Sequence, residues 1–118
     1  MDDVIFNKLD ALGANTQEGI NRLMGNKELY ARFLKKFVDA NHADEIRQAL
    51  KDRNYDDLLL HTHTNKGTTG NLSLTPLYDR YAIIVSEIRA ENYSTLAKKI
   101  SEVLKLQDTM CNIIKGLE

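Results

Sequence analysis

The sequence predicts an all-α protein: an antiparallel up-down four-helix bundle with short additional N-terminal helices. Apolar residues recur at three- and four-residue spacing through most of the chain. No stretch alternates in the manner of a strand, and the single proline falls where a helix would begin. The connections between the longer periodic stretches are short, which favours antiparallel neighbours. The 118 residues suit one domain, 1–118, able to bury a core without metal or disulfide help.

The elements follow in order. Val4, Ile5, Leu9 and Leu12 sit at helical spacing and give a short first helix, ended near Gly13. Asn15 with Glu18 three residues on has the form of a capping box and opens a second short helix. Ile20, Leu23 and Met24 are its apolar face, and Gly25 closes it. Asn26 caps the third helix, whose stripe of Leu29, Tyr30, Phe33, Leu34, Phe37 and Val38 reads as core. A short helical piece carrying Ile46 and Leu50 follows a bend near Asn41-His42. Asn54 then caps a central helix running to about Leu72, with Asp56 and Asp57 in its first turn. Thr75 as cap and Pro76 at the first helical position open the next, whose seam is Leu77, Tyr81, Ile84, Val85 and Ile88. Asn92 caps the last. Its seam of Leu96, Ile100, Val103, Met110, Ile114 and Leu117 is interrupted by Gln107, and Cys111 beside it reads as a small packed residue.

Composition removes several function classes. With 16 basic and 17 acidic residues the net charge is -1, so no basic footprint for nucleic acid is expected. One cysteine allows neither a disulfide framework nor a cysteine-rich metal site, and it fits a reducing compartment, so a cytoplasmic protein is expected. Met1-Asp2-Asp3 is acidic where a secretory leader is basic. The longest apolar run, Tyr81 to Val85, is far short of the roughly 20 residues of a membrane span, so no direct membrane contact is expected. The apolar seams are fully used inside one bundle, which predicts a monomer.

The central helix carries the chemistry. At about 100° per residue, Lys66 lies roughly 60° to one side of His63, Gly67 about 40° to the other and Gly70 about 20° away, so the four share a face. Leu59 and Leu60 flank it one turn earlier. Neutral imidazole is a competent nucleophile near neutral pH. An ammonium group one turn away can neutralise an anion held on it, and glycines remove bulk so that another protein can approach. Each helical glycine costs about 1 kcal/mol relative to Ala, which calls for such a reason. That set suits transient carriage of a phosphoryl group on His63. His61 and His63 form an HxH pair, but on a helix their rings point about 200° apart and share no ion, so no metal site is expected. His61 reads as a bundle-flank or partly buried histidine without a chemical role, and His42 as a surface loop residue.

These residues also carry a likeness. His63-Thr64-Asn65-Lys66-Gly67, followed by Thr68-Thr69-Gly70-Asn71-Leu72, resembles the H-x-h-K-G-x-x-G/A-x-h motif of histidine-containing phosphotransfer (HPt) domains, where h is apolar. Gly25-Asn26-Lys27-Glu28-Leu29-Tyr30, leading to Phe33, Leu34 and Phe37, is similar to the G-N-x-E-L-Y opening of that family's second helix. The two blocks stand in order and the likeness covers nearly the whole chain. It implies a four-helix bundle with His63 exposed midway along one helix. It implies that His63 accepts a phosphoryl group from the aspartate of a response-regulator receiver domain and relays it to another receiver. Lys66 would hold phosphate oxygens, Gly67 and Gly70 would let the receiver dock, and Leu59 and Leu60 are docking candidates. No cofactor of its own, and no intrinsic kinase or phosphatase activity, is implied; the receiver supplies the acidic pocket and Mg²⁺. A parent hybrid histidine kinase is a further implied partner.

The sequence departs from the family pattern on the other side of this helix. Leu58, Thr62, Asn65, Thr69 and Leu72 form its core side, with Asn65 where the family has Leu or Ile and Thr62 where it has a small residue. An unpartnered buried amide costs roughly 1–3 kcal/mol, so Asn65 is expected to bond across the bundle or to Thr62 or Thr69. Ser73 stands where a glycine is common. These core changes support an alternative function: an interaction module of the same fold that binds receivers without carrying phosphate.

Overall fold

The computed structural model describes residues 2–118, so Met1 of the acidic start lies outside the described residues. Those residues form seven helices and no strand. They are α1 (Asp2–Ala11), α2 (Thr16–Arg22), α3 (Lys27–Asp39), α4 (Ala43–Lys51), α5 (Tyr55–Asn71), α6 (Thr75–Arg89) and α7 (Leu96–Ile114). The helices pack into a rod of 42 × 21 × 21 Å. α5 lies between α4 and α6, and α6 packs in turn on α7, which also meets α1 and α3. Among the described residues, no helix is long and apolar enough to cross a membrane.

Three of the expected caps are present. Asn15, Asn26 and Asn54 accept from the backbone N–H groups of Glu18, Leu29 and Asp57 at 3.1, 3.0 and 3.1 Å. Each satisfies one donor that the helix start leaves without an internal partner. The capping box at Asn15 is only half made, because the Glu18 carboxylate turns to Arg22 and Ser73 instead.

Other boundaries differ from expectation. α2 stops at Arg22, and Met24 turns left-handed (φ 58°) and is 97% exposed rather than part of an apolar face. The buried face of α1 is Phe6 and Leu9, while Val4 and Leu12 face solvent. α6 begins one residue early: Leu74 is the cap position, Thr75 is already helical and Pro76 is at its second position. Proline tolerates either place, since neither N–H is needed inside the helix. Asn92 does not cap α7. Its N–H bonds to Glu87 O at 2.9 Å, after a left-handed Glu91 (φ 54°), and so closes α6; α7 starts at Leu96 behind Thr95.

The seams themselves form as expected. Leu77, Tyr81, Ile84, Val85 and Ile88 of α6 are buried, as are Leu96, Ile100, Val103, Met110 and Ile114 of α7 and Leu117 beyond it. On α3, Tyr30, Leu34 and Phe37 are buried and Phe33 and Val38 partly so. Gly19 is required by packing. A Cβ there would come within 2.5 Å of the Tyr30 ring and 3.1 Å of Leu72 O. The ring reaches past α2 so that its hydroxyl donates to Leu72 O at 2.7 Å, tying α3 to the end of α5.

Candidate functional site

α5 carries polar groups on both of its faces. Asn54 starts it, and four threonines sit within it. Each threonine hydroxyl bonds back to its own helix: Thr62 to Leu58 O (2.8 Å), Thr64 to Leu60 O (2.9 Å), Thr68 to Thr64 O (3.1 Å) and Thr69 to Asn65 O (2.7 Å). The hydroxyls are thereby occupied by the helix backbone.

His63 is exposed midway along α5. It lines a groove of about 730 Å³ together with Lys66, Gly67 and Gly70, so all four of these residues come to one place. Lys66 is half-buried rather than fully exposed, and makes no ion pair among the described residues. The two glycines differ. A Cβ on Gly67 would meet nothing within 4 Å, so its position is open surface. A Cβ on Gly70 would come within 2.9 Å of Tyr78 Cδ1, so that gap is filled by α6. Leu60 is 60% exposed, and Leu59 is half-buried against the core.

The far wall of the groove comes from α2 and the α5–α6 turn, which the sequence pattern did not single out. Arg22 donates to Gly70 O (3.1 Å), to Asn71 O (3.4 Å) and to the Ser73 hydroxyl, and pairs with Glu18 at 3.0 Å. Ser73 donates in turn to Glu18 at 2.7 Å. That hydrogen bond, followed by the Arg22 charge, holds the Glu18 carboxyl below its ordinary value. Ser73 has the left-handed backbone (φ 54°) that a glycine adopts freely, and its buried hydroxyl joins this network. Arg22 lies 48 residues from Gly70, so no local pattern could have announced the contact.

Behind His63 the polar core side of α5 is tied across the bundle through the Asn65 amide nitrogen. Asn65 Nδ2 donates to Asn41 O at 2.7 Å and to the Tyr81 hydroxyl at 3.1 Å. Tyr81 donates to Gln107 Oε1, and Gln107 Nε2 donates to Asn41 O at 3.1 Å. Burial pushes the Tyr81 phenol well above its ordinary range, so it stays a donor. Of the two expected outcomes for the Asn65 side chain, bonding across the bundle is the one that occurs; the Thr62 and Thr69 hydroxyls bond to backbone carbonyls instead. Asn65 Oδ1 has no hydrogen-bond partner among the described residues.

The fold corrects one of the remaining histidines. His42 is half-buried rather than a surface loop residue, while His61 is the partly buried histidine expected. Their Nδ1 atoms lie 2.9 Å apart, with ring centroids at 5.1 Å, on the side of α5 away from the groove. Glu45 Oε2 is 3.7 Å from His42 Nδ1. Nineteen residues separate the two rings in sequence. The HxH spacing of His61 and His63 on one helix concealed the pairing of His61 with a different element.

The groove can therefore offer an exposed imidazole beside an unpaired ammonium group, next to open backbone. No protein-family model, curated protein or solved structure matches the chain.

Proposed function

We propose that this chain is a histidine phosphotransfer domain of a multistep phosphorelay. The observation that carries the reading is the exposed His63 imidazole in one groove with the unpaired Lys66 ammonium and the open face at Gly67. An imidazole nitrogen of His63 attacks the phosphorus of a receiver's aspartyl phosphate. The N–P bond forms, the P–O bond to the aspartate breaks, and the receiver carboxylate leaves. Transfer to a second receiver is the reverse step on another aspartate. Lys66 sits where it can balance charge on the phosphoryl oxygens, and charge balance with positioning is most of what such a transfer needs. The threonine hydroxyls of α5 are tied to its backbone, which leaves His63 as the nucleophile of this helix face.

In this reading α3, α5, α6 and α7 are the up-down four-helix bundle, with α1 and α2 as the short N-terminal additions. The chain works as a monomer in the cytoplasm, without a cofactor of its own and without kinase or phosphatase activity. The receiver brings Mg²⁺ and docks over Gly67, Gly70 and the flanking Leu59 and Leu60. A parent hybrid histidine kinase would supply the donor receiver. The alternative, a receiver-binding module that carries no phosphate, drew on the polar core side of α5. Asn65 bonds across the bundle to Asn41 and Tyr81, and Thr62 and Thr69 bond back to their own helix, so these buried groups do not enter the groove at His63 by their own side chains.

The test is to mix the protein with phosphorylated receivers and Mg²⁺ and to look for acid-labile, alkali-stable phosphate. Label on the wild type that vanishes in His63→Gln supports the proposal. No label from any of several receivers overturns it.

A further inference from the structure

The geometry points to a zinc site, separate from the phosphotransfer groove, built from His42, Glu45 and His61. One ligand atom from each of the three lies within 4.8 Å of the others. The two imidazoles face each other through like nitrogens, 2.9 Å apart. Zinc bonded to two imidazoles at about 2.0–2.1 Å with a tetrahedral angle sets the nitrogens about 3.3 Å apart, so the rings need to part by only a few tenths of an ångström. In a neutral pair, one Nδ1 carries a proton and the other accepts it. Coordination moves that proton to Nε2 of the same ring, and both Nδ1 lone pairs then point at the ion. Glu45, half-exposed in the first turn of α4, closes from the solvent side and supplies the negative charge. Two imidazoles and one carboxylate are a donor set of open zinc sites, with the fourth position left to water.

The polar core holds one wall of this site in place. His42 follows Asn41, and every polar group that positions Asn41 is engaged. Its carbonyl accepts from Asn65 and Gln107, its side-chain Nδ2 donates to Val38 O at 3.0 Å, and its Oδ1 accepts from Ala43 N at 3.0 Å. His42 itself has φ 59° and makes no capping bond to α4, so its ring is free to turn to His61 rather than to the helix end. The buried amides that depart from an apolar core thus fix the turn that presents a ligand. Such outer partners set ligand orientation and commonly change metal affinity 10- to 100-fold.

The site is tested by titrating tag-free protein with Zn²⁺ alone by calorimetry, and with Co²⁺ alone by visible absorption. One zinc per chain is expected, with the absorption bands of tetrahedral cobalt and a rise in melting temperature on adding zinc. His42→Gln and His61→Gln should each weaken binding at least about 10-fold, as loss of a ligand exceeds loss of its outer partner. Both rings are only partly buried, so both variants should keep the wild-type helical circular dichroism. His63→Gln should bind zinc like the wild type, which separates this site from the groove whatever the outcome of the phosphotransfer assay. Zinc binding unchanged in the His42→Gln, His61→Gln double variant, or no binding by the folded wild type, overturns the proposal.

Discussion

α5 and α7 are both central helices, and they are held in opposite ways. α7 presents a continuous apolar seam in which Gln107 alone is polar. α5 buries Leu58, Thr62, Asn65 and Thr69, so most of its core face bonds rather than merely packs. Its other side carries His63, Lys66 and Gly67 toward the groove. α7 is therefore positioned chiefly by burial, with Gln107 its one hydrogen-bonded link to α6 and the α3–α4 turn. α5 is positioned by named hydrogen bonds that reach α6, α7 and the α3–α4 turn. The difference teaches that a helix exposing chemistry on one side gains from a registered, directional contact on the other.

The contrast can be broken by mutation, beginning with the largest effect. Met110→Ala removes a fully buried side chain from the α7 seam and should destabilise by about 2–5 kcal/mol, read by denaturant unfolding. Asn65→Leu should cost less, about 1–3 kcal/mol, because it strips partners from Asn41 O and Tyr81 without leaving a cavity. If Asn65→Leu proved strongly stabilising, the polar side of α5 would have no positioning role. Gly67→Ala should go the other way and stabilise by about 1 kcal/mol, since the added Cβ meets nothing and alanine is the better helix former. Gly67→Glu should keep the fold and weaken receiver binding; unchanged affinity would remove Gly67 from the docking face. Lys66→Ala should shift stability by no more than about 0.5 kcal/mol while slowing phosphoryl transfer, and an unchanged transfer rate would refute its role.

The smallest effect concerns Cys111 on α7. Burial first, opposed by the Asn41 hydrogen bond, raises its thiol from an ordinary 9.0 to about 11. The folded state therefore holds its proton where the unfolded chain has lost it. Stability from this group is full below about pH 9 and declines as the pH rises toward 11. Thiol-reactive reagents at pH 8 should label Cys111 only after denaturant is added; rapid labelling of folded protein would contradict its burial.

The seams of α6 and α7 were legible because each lies within one helix and repeats at the helical period. The asparagine caps were legible because a cap bonds two or three residues away. Asn92 misled because asparagine suits a turn as well as a cap, and only the chain path decides between them. The partners of Asn65 and the pairing of His42 with His61 were not legible, for they depend on the turn at Asn41 bringing separate helices together. For the site, the pattern reached His63, Lys66 and Gly67, but not that Gly70 is filled by Tyr78 or that Arg22 forms the far wall.

Arg22 has an electrostatic consequence for the groove. The last carbonyls of a helix carry the negative end of its dipole, equivalent to roughly half an elementary charge. Gly70 and Asn71 at that end of α5 line the same groove as His63. Arg22 covers Gly70 O and Asn71 O with its guanidinium, and Tyr30 covers Leu72 O with its hydroxyl. The negative end of the helix is thereby neutralised by its neighbours, and Lys66, which makes no ion pair among the described residues, is not drawn on to balance it.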